Sequence, residues 1–264
     1  PHRMQFLLES IRELSSNLAS LGSRLICISG PSVTLMPELV KRWGITRVVA
    51  HRWTEPFGRT RDARIAESLS VPMTLYEGET LHPPGTLRTG KGTPYSVFTP
   101  FSRALRKAAR ISEPLPKPKG LGAVPSVAMK DNEEIPCLET LGISRNPHLQ
   151  AGGESAARAR LKLFLEQRVG TYCVGRDQLG EPATSRLSAD IKFGTLSVRT
   201  IWRSVEELDV KGQGESAETF LNELIWRDFS YSTLWDRPEV LRVPFRPSWK
   251  GFPWRNDPEE WRAW

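Results

Sequence analysis

A cluster of hydroxyl and cationic side chains lies in the stretch EPATSRLSADIKFGTLSVRTIW, residues 181–202. Its hydroxyl and charged groups belong to Thr184, Ser185, Ser188, Arg186 and Lys192. The stretch then takes on the apolar spacing of a helix, and the free backbone N–H groups at the start of a helix attract anions. This combination is suited to a diphosphate. The alternative is an ordinary Ser/Thr helix cap with exposed cations beside it.

A second cluster lies in FLNELIWRDFSY, residues 220–231, which has the spacing of a helix. Glu223, Trp226 and Arg227 occupy positions i, i+3 and i+4, so a helix places them on one face. There the indole can stack on a planar ligand, the carboxylate can accept hydrogen bonds and the guanidinium can meet an anion. The alternative is a half-buried helix that carries an internal Glu–Arg pair.

Tryptophan is concentrated near the end of the sequence. The chain has nine tryptophans, and those in its last part are Trp226, Trp235, Trp249, Trp254, Trp261 and Trp264. Such a concentration indicates either an aromatic core or a surface for stacking and electron transfer. The last three of them lie in GFPWRNDPEEWRAW, residues 251–264, where Asp257 and Pro258 predict the start of a helix.

The first part of the chain predicts elements that form a parallel sheet. Strands are predicted over residues 24–29, 46–51 and 71–77, and helices over 3–20, 32–44 and 58–70, with Ser32 as an N-cap and Gly44 ending the second helix. Strands and helices that alternate at this spacing indicate a Rossmann-like parallel sheet with crossover helices. Because the chain opens on a helix, we expect the first strand of this domain to be missing upstream.

The later part of the chain has a different pattern. Pro and Gly interrupt residues 101–150, which we interpret as a linker that includes part of a basic helix. After residue 151 the chain takes on helical spacing, and residues 151–240 contain no convincing strand pattern. We therefore predict an α/β domain over residues 1–100, a long linker, and an all-α domain over residues 151–264, with both domains incomplete.

Composition narrows the function classes. The formal charge of +7 is suited to a polyanionic partner without requiring nucleic acid. The cysteines, Cys27, Cys137 and Cys173, are too scattered for a metal site or a disulfide framework, which favours a reducing cytoplasm. We see no signal peptide and no apolar run near the ~20 residues of a membrane span. We expect a cytoplasmic monomer that needs no metal.

Several motifs together resemble the DNA photolyase/cryptochrome family. These are TSRLS, FGTLS, NELIWRDF and FPWRNDP in this order and spacing, with TLHPPGT and YSVFTPF upstream. The resemblance covers nearly the whole chain and is closest to the class I cyclobutane pyrimidine dimer photolyases. It implies an antenna-binding α/β domain followed by a helical flavin domain.

The resemblance also implies roles for individual residues. The flavin (FAD, in its reduced form) contacts Tyr172, Thr184, Ser185, Arg186, Leu187 and Ser188. DNA contacts Arg176, Glu223, Trp226 and Arg227. Glu223 hydrogen-bonds the dimer, Trp226 packs on it, and Trp254 is the outermost member of the tryptophan chain that photoreduces the flavin. Lys192 matches the family without a role that we assign.

The activity implied is light-dependent DNA repair, in which an electron from FAD splits cyclobutane pyrimidine dimers in UV-damaged DNA. The enzyme is then a deoxyribodipyrimidine photo-lyase, which acts on the nucleoid of a bacterial-type cell. Alternatives are a cryptochrome-type blue-light sensor, a (6-4) photoproduct photolyase and a non-catalytic DNA-binding remnant. The family's first strand and the later flavin-domain residues have no counterpart here, so we expect a fragment that is inactive alone.

The resemblance leaves the antenna chromophore open between a folate and a deazaflavin. Phe57 and Gly58 stand where folate-binding members of the family carry an Asn–Glu pair. This departure weakens the folate assignment without establishing a deazaflavin.

Overall fold

The structure is a computed structural model that describes residues 1–108, 111–209 and 214–264. Its elements, in chain order, are α1 (His2–Ser20), α2 (Ser32–Trp43), β1 (Val48–His51), α3 (Pro56–Ser68), β2 (Met73–Tyr76), α4 (Phe98–Ala108), α5 (Ser126–Met129), α6 (Glu154–Gln167), α7 (Tyr172–Gly175), α8 (Ser188–Phe193), α9 (Val198–Asp209), α10 (Gly214–Asp236) and α11 (Pro258–Ala263). Strands occur in the first part of the chain, whereas residues 151–209 and 214–264 form helices and turns. This confirms an α/β region followed by an all-α region.

The sheet of the first part is parallel, as predicted. β1 and β2 pair from Val48 with Met73 to His51 with Tyr76, and α3 connects them. The predicted helix over 58–70 begins two residues earlier, at Pro56, because proline is favoured at the first position of a helix. Gly44 ends α2 as predicted, with a left-handed φ of 65°.

The strand predicted over residues 24–29 is wrong. The segment is irregular, and a loop supplies partners for its backbone. The N–H of Cys27 donates to Asn132 Oδ1 at 2.8 Å, and the carbonyl of Cys27 accepts from Glu133 N at 2.8 Å. A strand forms only where a neighbouring strand offers a ladder of partners, and this segment pairs with side-chain and loop groups instead.

The N-cap predicted at Ser32 is also wrong. Pro31 occupies the cap position, and its carbonyl accepts the first helical bonds from Thr34 N at 3.1 Å and Leu35 N at 3.0 Å. Ser32 is therefore already the first residue of α2. A proline that ends an extended segment can serve as the cap without a side-chain hydrogen bond.

The main core lies in the helical part and includes residues from the predicted linker. Among its fully buried members are Leu105, Phe164, Ile201, Val205 and Ile225. Phe101 and Leu105 of α4 pack into this core, as does Ile111 of the irregular segment that follows. α4 is therefore one of the helices that pack around the core of the helical part.

The start of α6 is capped by side chains of α1. Gly152 N donates to Glu9 Oε2 at 2.9 Å, and Gly153 N donates to Ser10 Oγ at 3.0 Å. Two residues after Gly153, Ser155 N donates to Glu13 Oε1 at 2.8 Å. These bonds satisfy N–H groups that the start of a helix leaves without partners, and they join the two parts of the chain.

We expect Gly152→Ala to lower the free energy of unfolding by about 3 kcal/mol. A Cβ at this position would collide with the backbone carbonyl oxygen of Phe6, which cannot move without displacing α1. Urea denaturation measures the effect. Gly122→Ala is the matched control, because a Cβ there would have no atom within 4 Å. Equal stabilities of the two variants would contradict the close approach of α1 and α6.

Candidate substrate groove

An open groove of about 450 Å³ lies between α4, α10 and the residue that follows α7. Its lining includes Phe98, Ser102, Arg103, Arg106, Arg176, Asn222, Glu223 and Trp226. The volume falls within the ~300–1,000 Å³ of typical ligand sites. Three residues predicted from the sequence, Arg176, Glu223 and Trp226, are thus brought together.

Trp226 forms one aromatic wall of the groove. Its ring stacks on Phe98 with centroids 3.7 Å apart and planes at 4°. Phe229 packs edge-on against the indole at 5.8 Å and 74°. The side chain is nevertheless 43% exposed, which leaves ring surface open to a planar ligand.

Arg176 and Glu223 form an ion pair that also lines the groove. The hydrogen bond that Arg176 donates to Glu223 raises the pKa of Arg176, so the guanidinium is charged at any physiological pH. Both side chains are partly exposed. A ligand in the groove therefore meets an acceptor carboxylate and a cation side by side.

Arg227 points away from this groove. Its Nη1 donates to the backbone carbonyl of Glu79 at 2.6 Å, and its guanidinium lies over the ring of Tyr231 at 4.3 Å. The prediction that Arg227 shares a ligand-facing surface with Glu223 and Trp226 therefore needs correction. Its long side chain joins α10 to the segment after β2 through this hydrogen bond.

Asp228 is buried beside Arg227 and holds the same segment. Its Oδ2 accepts from His82 N at 3.0 Å, while its Oδ1 has no hydrogen-bond partner within the described ranges. Burial raises the pKa of Asp228 from 3.8 to about 7, against the opposing effects of the His82 bond and the Arg227 charge. The folded protein therefore binds this proton more tightly than the unfolded chain does.

We expect the ionisation of Asp228 to lower the free energy of unfolding as the pH rises from about 4 to about 7. Asp228→Asn removes this contribution. The variant should gain stability relative to the unsubstituted protein by up to about 4 kcal/mol between pH 4 and pH 8. Urea denaturation across this pH range measures the difference in the free energy of unfolding between the two proteins. Because His82 is present in both, its contribution cancels in the difference. A difference that does not change with pH would contradict a buried, neutral Asp228.

Residues 184–187 form a turn that leads into α8, which begins at Ser188. Arg186 adopts a left-handed φ of 55°, and Leu187 N donates to Ser185 Oγ at 3.4 Å. Leu187 is the residue before α8, and no side chain caps this helix. The alternative of a Ser/Thr helix cap is therefore wrong. Thr184 and Ser188 are exposed instead.

These exposed groups have the chemistry that a diphosphate needs. Two hydroxyl groups and the exposed guanidinium of Arg186 lie within five consecutive residues, and Arg168 reaches the carbonyl of Thr184 from α6 at 3.3 Å. Hydroxyl donors and a guanidinium bind phosphate oxygens directly. The donor set therefore fits the diphosphate of a nucleotide cofactor.

A buried ion pair holds this turn in place. Asp190, which is 0% exposed, accepts from Arg160 Nη2 at 2.6 Å and from Arg160 Nε at 3.0 Å. Thr195 Oγ1 adds a third bond to the same carboxylate at 3.0 Å. Asp190 thus fixes α8, and the residues before it, on α6.

Tyr172 lies in the core next to this turn. Its ring packs edge-on against Phe164 at 5.7 Å and Phe220 at 5.2 Å. Burial raises the pKa of Tyr172, so the phenol stays protonated at neutral pH. The neighbouring residues line a second cavity of about 500 Å³, which Ala183 borders from the side of the hydroxyl-rich turn.

The remaining predicted residues lie outside the groove. Trp254 is 68% exposed and packs on Phe252 at 4.7 Å. The tryptophans of the last residues are exposed, so an aromatic core is wrong for that segment. Lys192 pairs with Glu55 at 2.8 Å across the two parts of the chain. Phe57 is largely exposed.

Sequence reasoning missed one wall of the groove. This wall is formed by α4 and includes Phe98, Arg103 and Arg106. Arg106 Nη2 donates to Oδ1 of Asn222, a groove residue of α10 that was also missed, at 3.2 Å. The only signal was the basic helix predicted near residue 100, to which we assigned no role. Its contact with α10 depends on the tertiary fold.

No helix within the described ranges combines the length and the apolar character needed to cross a membrane. In the part of the chain that the structure describes, His, Cys, Asp and Glu side chains form no group of three or more that could hold a metal ion.

Comparison with known proteins gives a consistent relationship. The DNA photolyase family model matches residues 1–119. Deoxyribodipyrimidine photo-lyase of Thermus thermophilus is 36% identical over 265 residues, which cover 100% of this chain and 58% of that relative. The chain therefore spans a little over half the length of this relative.

Solved structures show the same relationship. A class III photolyase from Agrobacterium tumefaciens superposes with a TM-score of 0.87 at 29% identity, covering 100% of this chain and 56% of the other. A cryptochrome from Synechocystis sp. shares the fold, with a TM-score of 0.85 at 24% identity and coverages of 100% and 57%. The closer likeness to class I enzymes stays a prediction. The family model, the curated relative and the shared fold agree with the motifs and confirm the predicted resemblance to the DNA photolyase/cryptochrome family.

Proposed function

We propose that this chain forms the lesion-binding part of a deoxyribodipyrimidine photo-lyase, a flavoprotein that uses light to split cyclobutane pyrimidine dimers in DNA. The observation that carries the proposal is the groove, which the exposed indole of Trp226 and the Arg176–Glu223 ion pair line together. An aromatic plane, an acceptor and a cation are the groups that a flipped-out dimer can use. The proposal includes cytoplasmic, nucleoid-bound action as a monomer.

Recognition begins when the dimer leaves the base stack. Base flipping costs a few kcal/mol, and least for a damaged pair. The open ring surface of Trp226 replaces part of the lost stacking. The carboxylate of Glu223 accepts a hydrogen bond from a pyrimidine N–H, which undamaged DNA keeps inside its base pairs.

The positively charged side chains that line the groove bind the phosphates of the DNA backbone in this proposal. Arg103 and Arg106 of α4 line the groove together with Arg176, the residue after α7. Guanidinium groups bind phosphates with two parallel hydrogen bonds, and these contacts position the duplex without reading its sequence. The net charge of +7 adds a longer-range attraction to DNA.

The cofactor in this proposal is FAD in its reduced form, which when bound supplies the electron for ring splitting. Thr184, Ser188 and Arg186 hold its diphosphate, and Asp190 keeps their turn on α6 through Arg160. Tyr172 closes the buried side of the same region. In the proposed enzyme Trp254, on the exposed last segment, begins the path by which the flavin is reduced.

We also propose the domain roles that the sequence predicts. Residues 1–100 form the antenna-binding domain, residues 101–150 the linker, and residues 151–264 part of the flavin domain. The antenna residues differ from the folate-binding pattern at Phe57 and at Gly58, where a Cβ would meet the Trp53 side chain.

The test is light-dependent removal of dimers by the product of the complete gene. UV-irradiated DNA is incubated with the protein and reduced FAD, in blue light and in the dark, and the remaining dimers are counted. We expect loss of dimers only in the light. A flavin-loaded protein that leaves dimers intact under illumination would contradict repair and favour a light sensor.

A further inference from the structure

We propose that Phe98 is a positioning residue that holds the Trp226 indole in the orientation in which it stacks on the lesion. The inference rests on the proposed function of the groove. It assigns a role to the first residue of α4, which the sequence places 128 positions before Trp226.

The aromatic geometry shows that α4 imposes this contact. The two rings are nearly parallel, at 4°, with centroids 3.7 Å apart. Aromatic pairs left to their own attraction prefer offset or edge-on arrangements with centroids ~4.5–7 Å apart. The face-to-face contact of Phe98 and Trp226 is therefore set by the elements that carry the rings.

Those elements are fixed to each other at several points. Phe101 and Leu105 anchor α4 in the core, and Arg106 binds both Asn222 and Glu218 of α10, the latter at 2.6 Å. α4 therefore cannot slide along α10 without breaking buried packing and these bonds. Phe98, at the start of α4, is held over the Trp226 ring.

The result is an indole with one face covered, a second ring packed at a steep angle to it, and surface left open. Phe98 covers the face and Phe229 packs at 74° to the indole plane, while Trp226 stays 43% exposed. A dimer base that stacks on the open side completes a layered stack of base, Trp226 and Phe98. Because the indole is already oriented, binding does not have to immobilise it.

Without Phe98, binding of the lesion would have to immobilise the indole, and this cost determines the expected loss of affinity. Immobilising one side chain lowers affinity roughly 2- to 12-fold. We therefore expect Phe98→Leu to lower the preference for dimer-containing DNA over undamaged DNA about fivefold. Affinity for undamaged DNA should stay unchanged, because no base stacks on Trp226 in that complex.

The experiment measures dissociation constants of the complete gene product for matched duplexes with and without one dimer, at fixed salt. The variants are Phe98→Leu, Phe98→Tyr, Trp226→Ala and the double variant Phe98→Leu/Trp226→Ala. Phe245→Leu is the matched control, since Phe245 packs under Arg237 and is not among the residues that line the groove. Urea denaturation confirms that each variant is folded, and Phe98→Met replaces Phe98→Leu if that variant does not fold.

We expect the preference to fall in Phe98→Leu, to be kept in Phe98→Tyr and in Phe245→Leu, and to fall no further when Phe98→Leu is added to Trp226→Ala. An unchanged preference in Phe98→Leu beside a reduced one in Trp226→Ala would overturn the inference and leave the proposed function standing. A further fall in the double variant would also overturn it. No preference in the unsubstituted protein would overturn both.

Discussion

Trp226→Ala is expected to lower the affinity for dimer-containing DNA by roughly 10- to 100-fold, and the affinity for undamaged DNA by less than about twofold. Stacking of one base on an aromatic side chain contributes roughly 1–3 kcal/mol. Trp226 is an exposed indole that lines the groove, and in the proposed complex only a flipped-out base reaches it. The loss should therefore be confined to DNA that presents a lesion.

Equilibrium binding of matched duplexes measures this prediction. Trp261→Ala is the control, because Trp261 is 76% exposed on α11 and stacks on Trp264. It removes an exposed indole of the same kind outside the groove. Equal losses for damaged and undamaged DNA in Trp226→Ala would count against stacking on the lesion.

Asp190→Ala is expected to lower the free energy of unfolding by about 3–5 kcal/mol. The substitution leaves the guanidinium of Arg160 in a largely buried place without its carboxylate. An unpaired charge of this kind is costly because the protein interior solvates it poorly. The loss approaches the total stability of a domain, so partial unfolding at 37 °C is expected.

Urea denaturation of Asp190→Ala is compared with that of Glu55→Ala. Glu55 also pairs with a cation, Lys192, but both side chains are about half exposed. Removing a surface pair changes stability by less than about 1 kcal/mol. If the two variants lose the same stability, the Arg160–Asp190 pair does not anchor the turn.

Local patterns predicted the elements whose own residues determine them. β1 and β2 follow from short apolar runs, and α10 follows from its helical spacing. The segment 24–29 has an equally apolar run, yet it forms no strand. Whether the segment forms a strand depends on which loop lies beside it. Here the neighbours are residues 132–133, which are more than 100 positions away in the sequence.

The residues of the site also divide into those that local sequence patterns predicted and those that depend on the tertiary fold. Helical periodicity placed Glu223 and Trp226 together, because residues three apart lie on one side of a helix. It could not place Arg227, whose long side chain is directed by the carbonyl of Glu79. It could not find Phe98, because its contact with Trp226 exists only after α4 packs on α10.

The most direct test of the proposed groove is one binding measurement made at several salt concentrations. Duplexes with and without a single pyrimidine dimer are titrated with the complete gene product. We expect at least tenfold tighter binding of the damaged duplex, and a preference that persists while salt weakens both complexes through loss of phosphate contacts. Equal affinities with the same salt dependence would contradict lesion recognition and indicate a basic DNA-binding module.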